Sequence, residues 1–393
     1  MATPPDDGTA HDGFPPERHQ AAKPSLDLLR SLTDEHVLRA VMENGRLTRA
    51  GIAVTTGISK PTISESARRL SAAGILVDTG ERTSGRGRAG SYFTLAEAAG
   101  TALVVSIQPD GVFAEALDPF GSSITEAFVP LDRGAGQDEA ARSLGKAARR
   151  ARSNGEHFRM AVVSAADPVD RRSGRLVHLP DAPFMVGNLD PVSVLAAHVA
   201  GPVLVDNDVN WAARAERDAG KSQLDDFVYV HLGEGLGCAV VTDGDVRRGH
   251  RGVAGEIAHL VTVGPGGRAT PLTEVFAALG LRRDGTTAID VDLLRVSLCL
   301  RGPDGSTILE VLARAVAGVL IAAIALADPH EIVIGGSWGR DVDMIAALGA
   351  QLATSPRSVP VREATVRHSP DEAGARAFAL TSLRTLIATP RNQ

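Results

Sequence analysis

The chain has 393 residues, 44% of them hydrophobic and 22% charged, with a formal net charge of −6. A chain of this length and apolar content is expected to hold two or three domains with sizeable cores, and its acidic balance confines any contact with nucleic acid to a locally basic segment. Its two cysteines, Cys238 and Cys299, are far apart and suggest a reducing cytoplasm with no disulfide framework. The longest apolar run, residues 316–327, falls short of the ~20 residues that cross a bilayer, so a buried helix and no membrane partner are expected.

Residues 1–24 are rich in Pro, Asp and Gly and read as a disordered tail without a signal-peptide pattern. Residues 25–97 read as a DNA-binding domain. Thr33 is placed to cap a helix, with Leu32 and Val37 at the spacing of a hydrophobic staple and Val37, Leu38, Val41 and Met42 facing inward. Thr48 then caps a short helix whose inward residues are Ile52 and Ala53, and Gly57 supplies a left-handed turn that few side chains tolerate. Ile58 drops between the helices, Ser59 caps the next one, and Pro61 falls in its first turn, where a missing N–H costs nothing. Ile63, Ala67 and Leu70 recur at i, i+4, i+7, which turns Lys60, Thr62, Ser64, Glu65 and Arg68 outward.

After Gly74, residues 75–77 and 91–95 read as two strands with Gly85-Arg86-Gly87-Arg88 at the hairpin tip. A helix, a tight turn, a second helix and a wing form the pattern of a winged helix-turn-helix, so double-stranded DNA is the expected partner. Arg49, Ser59, Lys60, Thr62, Ser64 and Arg68 are expected at the major groove, and Arg86 and Arg88 at phosphates or a minor groove. Between Arg46 and Gly90, eight basic residues against Glu65, Asp78 and Glu81 give a net +5 and leave −11 for the rest of the chain. The bland alternative is a helical pair packed on a protein, its arginines merely solvated.

From residue 101 the pattern alternates between strands and helices. Residues 101–107, 112–117 and 124–130 read as antiparallel strands, 138–153 as a helix and 160–164 as a strand, followed by a helix at 192–199 and a strand at 203–205. A second set has strands at 227–232 and 238–242, a long helix at 307–327, a buried strand at 331–334 and a closing helix at 371–387. No internal repeat is evident, yet two sheet-plus-helix lobes in tandem (98–205 and 206–370, with 371–393 returning to the first) predict a cleft between them at the carboxyl ends of strands.

Two stretches at those strand ends carry chemistry. Asp206-Asn207-Asp208-Val209-Asn210 leaves a strand and enters a helix, where Asp208 either caps the helix or acts as a base toward a hydroxyl, and Asn207 either satisfies a strand end or binds a ligand. Gly233-Glu234-Gly235-Leu236-Gly237 is followed by a hairpin at Asp243-Gly244-Asp245 and then by Gly252-Val253-Ala254-Gly255-Glu256-Ile257-Ala258-His259, which sets Glu256 and His259 on one helical or turn face.

Together these elements resemble the ROK family, which groups sugar kinases with repressors on the same α/β, actin-like (ribonuclease H-like), two-lobed fold. The likeness runs from about residue 101 to the C-terminus, and the winged helix-turn-helix resembles the DNA-binding part of the repressor branch. By matching motif positions it implies sugar hydroxyl contacts from Asn207, Asp208, Glu256, His259 and Glu274, with Asp208 at the position of the catalytic base in the kinase branch. It also implies a homodimer or higher homo-oligomer.

Several departures separate this chain from the kinases. Where they open on a phosphate loop, this sequence has Ser106-Ile107-Gln108-Pro109-Asp110-Gly111, in which Pro109 lacks a backbone donor and Asp110 brings a negative charge. Glu234 replaces the usual threonine of the second glycine loop and is expected to repel a phosphate there. The cysteine-rich zinc loop of the family corresponds to residues 260–273, which carry no cysteine, so no metal is expected. Ala166-Asp167 stands where a Pro-Gly pair is usual, and Gly335-Gly336 matches the nucleotide-side glycines but is equally explained as a plain turn. The expectation is a DNA-binding transcriptional regulator, a repressor of carbohydrate uptake or catabolism genes controlled by a sugar or sugar derivative, without cofactor or catalytic residues. The alternatives are a sugar kinase carrying a DNA-binding domain, and a regulator whose body only dimerises or binds a protein.

Overall fold

The computed structural model describes residues 26–84, 89–152, 157–179, 187–220, 224–302 and 306–389. The N-terminal module opens with α1 (Leu26–Asn44), then β1 (Leu47–Thr48), α2 (Arg49–Thr56), α3 (Lys60–Ala72), β2 (Leu76–Arg82) and β3 (Ser91–Leu95), the strands forming a sheet of order β1-β3-β2. Thr48 caps α2 by accepting from the Gly51 N–H at 3.0 Å, and Gly57 turns the chain at φ 70°. Ser59 caps α3, whose Ile63, Ala67 and Leu70 are buried against Val37, Leu38, Val41 and Ile52. One expectation fails: Thr33 lies inside α1 rather than at its start. The helix-forming run before it carries the helix back to Leu26, and the Thr33 hydroxyl donates to the Leu29 carbonyl one turn earlier, at 2.9 Å. The wing tip, with Arg86 and Arg88, lies outside the described residues.

The first lobe comprises β4 (Ala102–Gln108), β5 (Gly111–Leu117), β6 (Ser123–Pro130), α4 (Gln137–Ala151), β7 (Met160–Ala165), α5 (Pro191–Leu195) and β8 (Val203–Asn207). Its sheet runs β6-β5-β4-β7-β8, an antiparallel meander continued by two parallel strands. α6 (Asp208–Ala219) leads across to the second lobe: β9 (Phe227–Leu232), β10 (Leu236–Thr242), β11 (Asp245–Val246), β12 (Val261–Val263), β13 (Ala269–Pro271), α7 (Leu272–Ala278), α8 (Val291–Ser297), α9 (Ile308–Ala327), β14 (Glu331–Gly335), α10 (Val342–Ala353) and β15 (Val361–Glu363). The second sheet runs β11-β10-β9-β14-β15, again a meander plus two parallel strands. A repeat invisible in the residues is therefore present in the topology, because strand order and direction survive changes of side chain that keep each position apolar. The body is the two-lobed, actin-like α/β architecture expected from the sequence.

α9 has 20 residues and, contrary to the expectation from its apolar run, is long and apolar enough to cross a bilayer by length and composition. Its burial is that of a core helix: Val311, Leu312, Ala315, Val316, Val319 and Leu320 are inside the second core, and a Thr307–Glu310 capping box fixes its start. The segment expected to be a cysteine-free loop forms the β12–β13 hairpin, tied to α9 by the Thr262 hydroxyl donating to Ala315 O at 2.6 Å.

The closing helix, α11 (Pro370–Ala388), packs on the first sheet, on α6 and on α1 of the N-terminal module. It starts beside the first sheet, crosses α6 so closely that a Cβ on Gly374 would fall 2.0 Å from Trp211 O, and ends against the N-terminal module. Leu383 and Ile387 share one hydrophobic core with Val37, Leu38, Met160 and Trp211, and Arg384 donates to Pro119 O at 2.8 Å and to Met42 O at 3.4 Å.

Candidate functional site

Between the lobes lies a cavity of about 480 Å³. Its walls come from the carboxyl ends of β4, β7, β8 and β9, from the loop between β11 and β12, and from the start of α11. Two glycines explain how the loop is held. A Cβ on Gly252 would lie 1.9 Å from Val169 O in the first lobe, and one on Gly255 would lie 1.8 Å from Cys238 O in the second. Both residues also have positive φ, 87° and 96°. With Cys238 N–H donating to Gly255 O at 3.0 Å, Glu256 is pointed at the cavity from a turn, not from a helix.

Asn207, Asp208, Glu256 and His259 all line the cavity. Asn207 is the residue that caps α6: its carbonyl accepts from Val209 N–H at 2.9 Å, while its amide donates to Asp167 O at 3.2 Å and Ala165 O at 3.4 Å. Asp208 accepts from the same Val209 N–H at 2.8 Å through one oxygen. Glu274 is not brought to the cavity. α7 begins after Pro271, so Thr273 faces the cleft while Glu274, one step round the helix, pairs with Arg282 at 2.9 Å.

The sequence reading missed Asp371, His231 and Arg133, and treated Asp167 only as a lost glycine. Asp371 accepts from Ser106 at 3.0 Å and Ser164 at 2.9 Å, two hydroxyls on the otherwise apolar strands β4 and β7. Those serines were the available signal, since a buried hydroxyl needs a partner.

The acids in the cleft are strongly perturbed. Burial, then the charge of Glu256, pushes Asp167 up to about 7; burial pushes Glu256 up to about 7. Burial, then Asp371, pushes Asp208 up to about 8 despite the Val209 N–H. Burial lowers His231, favouring its neutral form. All three carboxyls ionise far above the ~4 of an unfolded chain, so the folded state holds their protons more tightly. The stability they contribute is full below that value and is lost as pH rises through 7 and 8. We expect the thermal midpoint of the ligand-free chain to fall between about pH 6 and about pH 9, and Asp208→Asn to flatten the fall. A midpoint equally pH-dependent in the variant contradicts the assignment of Asp208.

Pro109-Asp110, where the family resemblance implies a phosphate loop, is a two-residue turn joining β4 to β5, with Gln108 paired to Gly111. Glu234 is not the bare charge expected. Arg133 from the first lobe grips it at 2.7 and 3.1 Å and Arg283 at 3.0 Å. Burial raises its carboxyl, but Arg133 and then Arg283 outweigh this and hold it low. Glu234 is thus an ion-paired carboxylate that ties the two lobes together. Gly336, at φ 89°, turns the chain where a Cβ would meet Leu232 O at 2.2 Å, and the Trp338 indole donates to Gly233 O at 2.8 Å.

On the N-terminal module, Arg49, Ser59, Lys60, Thr62, Ser64 and Arg68 are all exposed. The Ser59 and Thr62 hydroxyls lie 2.7 Å apart, Arg49 sits 4.9 Å over the Phe93 ring, and Arg68 is held by Glu65 at 2.7 Å. Arg69 faces inward to Asp34 at 2.7 Å.

The ROK family model matches residues 141–383, and a winged helix-turn-helix DNA-binding model matches residues 30–77. The xylose repressor of Caldicellulosiruptor bescii is 23% identical over 237 residues, covering 59% of this chain and 59% of that protein. The beta-glucoside kinase of Listeria monocytogenes is 36% identical over 127 residues, 31% of this chain and 42% of that one; the chain thus matches less than two thirds of the length of either relative. The crystal structure of a ROK family transcriptional regulator, a homolog of the E. coli MLC protein, superimposes with a TM-score of 0.58 at 18% identity, covering 92% of this chain and 99% of the other.

Proposed function

The chain belongs to the ROK family, and from that premise we propose that it is a transcriptional repressor, acting in the cytoplasm as a homodimer, whose grip on operator DNA is controlled by a sugar or sugar derivative in the interlobe cleft. The observation that carries this reading is α11. One end presents Asp371 to the cleft and the other is built into the core of the DNA-binding module. A ligand that rearranges the hydrogen bonds around Asp371 biases the position of a rigid rod, and the rod moves α1. In a dimer that movement changes the separation of two α3 helices, which must match half-sites ~34 Å or a multiple apart. A 100-fold change in operator affinity needs a coupling of about 2.7 kcal/mol. Asn207, Asp208, Glu256 and His259 are the residues we assign to the sugar.

The module itself is tested by substitution. Lys60→Ala, Arg86→Ala and Arg88→Ala are expected to weaken binding to all duplexes and to lower the salt slope by about one each, whereas Ser64→Ala alters preference among operator variants. Unchanged operator binding in all four contradicts the assignment.

We further propose that the chain does not turn over ATP, on the ground that Arg133, Glu234 and Arg283 fill one anion seat and Pro109-Asp110 replaces another. The similarity to beta-glucoside kinase supports a second reading, a kinase with a DNA-binding domain. ADP release with any monosaccharide, lost in Asp208→Ala, would establish it.

A further inference from the structure

The cleft holds more acid than its bases balance. Asp110, Asp167, Asp208, Glu234, Glu256 and Asp371 line it, set against Arg133, and Arg133 is already engaged by Glu234. His231 is shifted toward its neutral form, and His259 sits at the exposed rim. Glu234 and Asp371 have partners, and one oxygen of Asp208 has the Val209 N–H.

Asp167 differs from these. Only 5% exposed and facing the cavity, its carboxylate has no hydrogen-bond partner among the described residues. Glu256 lies near enough to act on it by charge, and its carboxylate also has no such partner there. Two neighbouring carboxylates, Asp167 buried and Glu256 half-buried, that open onto the cavity without protein donors among the described residues are costly when both are ionised. A metal does not fit the gap, since no group of three His, Cys, Asp or Glu among the described residues is spaced to hold one. A cationic group on a ligand does fit, and it completes both acids with charge-assisted hydrogen bonds in a cavity of sugar size.

We infer that the effector is an amino sugar with a free, protonated amine, its ammonium seated between Asp167 and Glu256 while Asp208 takes a ring hydroxyl. This rests on the sugar-binding reading above. A neutral sugar leaves the charge of the pair uncompensated, and an N-acetyl sugar removes the charge that the pair selects. Asp167 is then the specificity residue that sets this cleft apart from one with glycine at that position.

The test is calorimetry on the full chain near neutral pH with glucosamine, mannosamine and galactosamine, each against its hydroxyl parent and its N-acetyl derivative. For at least one sugar the amine form is expected to bind about tenfold tighter or more, and Asp167→Asn to bring the ratio to within about threefold of one. Asp167→Gly provides a second variant, and the thermal transition of each checks the fold. A neutral sugar that binds as well as its amine counterpart overturns the inference and leaves the sugar-controlled repressor standing, as does a ratio unmoved in both variants. No heat with any sugar overturns both.

Discussion

In Asp208→Ala, operator binding is expected to lose its response to sugar while the affinity in the absence of sugar stays unchanged. Asp208 stands at the junction of β8 and α6, with one oxygen tied to Val209 N–H, and lines the cavity. A hydrogen bond between a ligand hydroxyl and the Asp208 carboxyl contributes about 0.5–1.5 kcal/mol when the acid is protonated and about 1.5–3 kcal/mol when it is ionised, so its removal weakens sugar binding by about threefold to 100-fold, most at the higher pH. The fold is expected to survive, because the only hydrogen bond of the Asp208 side chain among the described residues is from Val209 N–H, which also donates to Asn207. Calorimetry and operator titration check the two halves of the expectation. A variant that still releases operator at the same sugar concentration shows that Asp208 is only a helix-terminal residue.

Gly255→Ala is expected to be the most damaging single substitution in the cleft. The added Cβ would lie 1.8 Å from Cys238 O, a backbone atom that cannot rotate away, at a φ of 96° that alanine avoids. Overpacking and backbone strain together cost about 3 kcal/mol or more, either as lost stability or as displacement of the loop from β10. Displacement withdraws Glu256 from the cavity, so sugar binding should fail even where the fold survives. Denaturant midpoints and calorimetry separate the two, and an alanine variant with wild-type midpoint and sugar affinity contradicts the packing described for this loop.

Much of the N-terminal module was legible because its determinants are local. Thr48, Gly57, Ser59 and Pro61 each act within a few residues of themselves, and the structure uses each in the expected way. The start of α1 was not, because Thr33 suits a cap and a helix interior alike and drew the reading away from Ser25, a cap residue type in the sequence just before Leu26. In the body, strands with buried apolar runs were legible, while α7 and α8, short helices, and α10 were not read, although Asp290 and Asp341 cap α8 and α10. The cleft was half legible. Asn207, Asp208 and Glu256 lie in motifs through which the chain resembles the ROK family, and without that resemblance a helix cap explained the first two equally well, whereas Arg133, Asp167 and Asp371 meet them only through pairings between distant segments, such as Asp371 with Ser106. Glu274 shows the limit from the other side. A helix turns ~100° per residue, so an error of one position exchanges a cavity-facing threonine for an outward glutamate.

On the proposed function, a sugar in the cleft is coupled to DNA at α3 within one chain. Fluorescence anisotropy of a duplex carrying the chain's own upstream sequence, titrated with the full chain with and without saturating monosaccharides, measures that coupling directly. We predict that at least one sugar shifts the operator Kd by about 100-fold while the Asp208→Ala chain shows no shift. An operator Kd identical with and without every sugar, in a chain that calorimetry shows to bind sugar, contradicts the account.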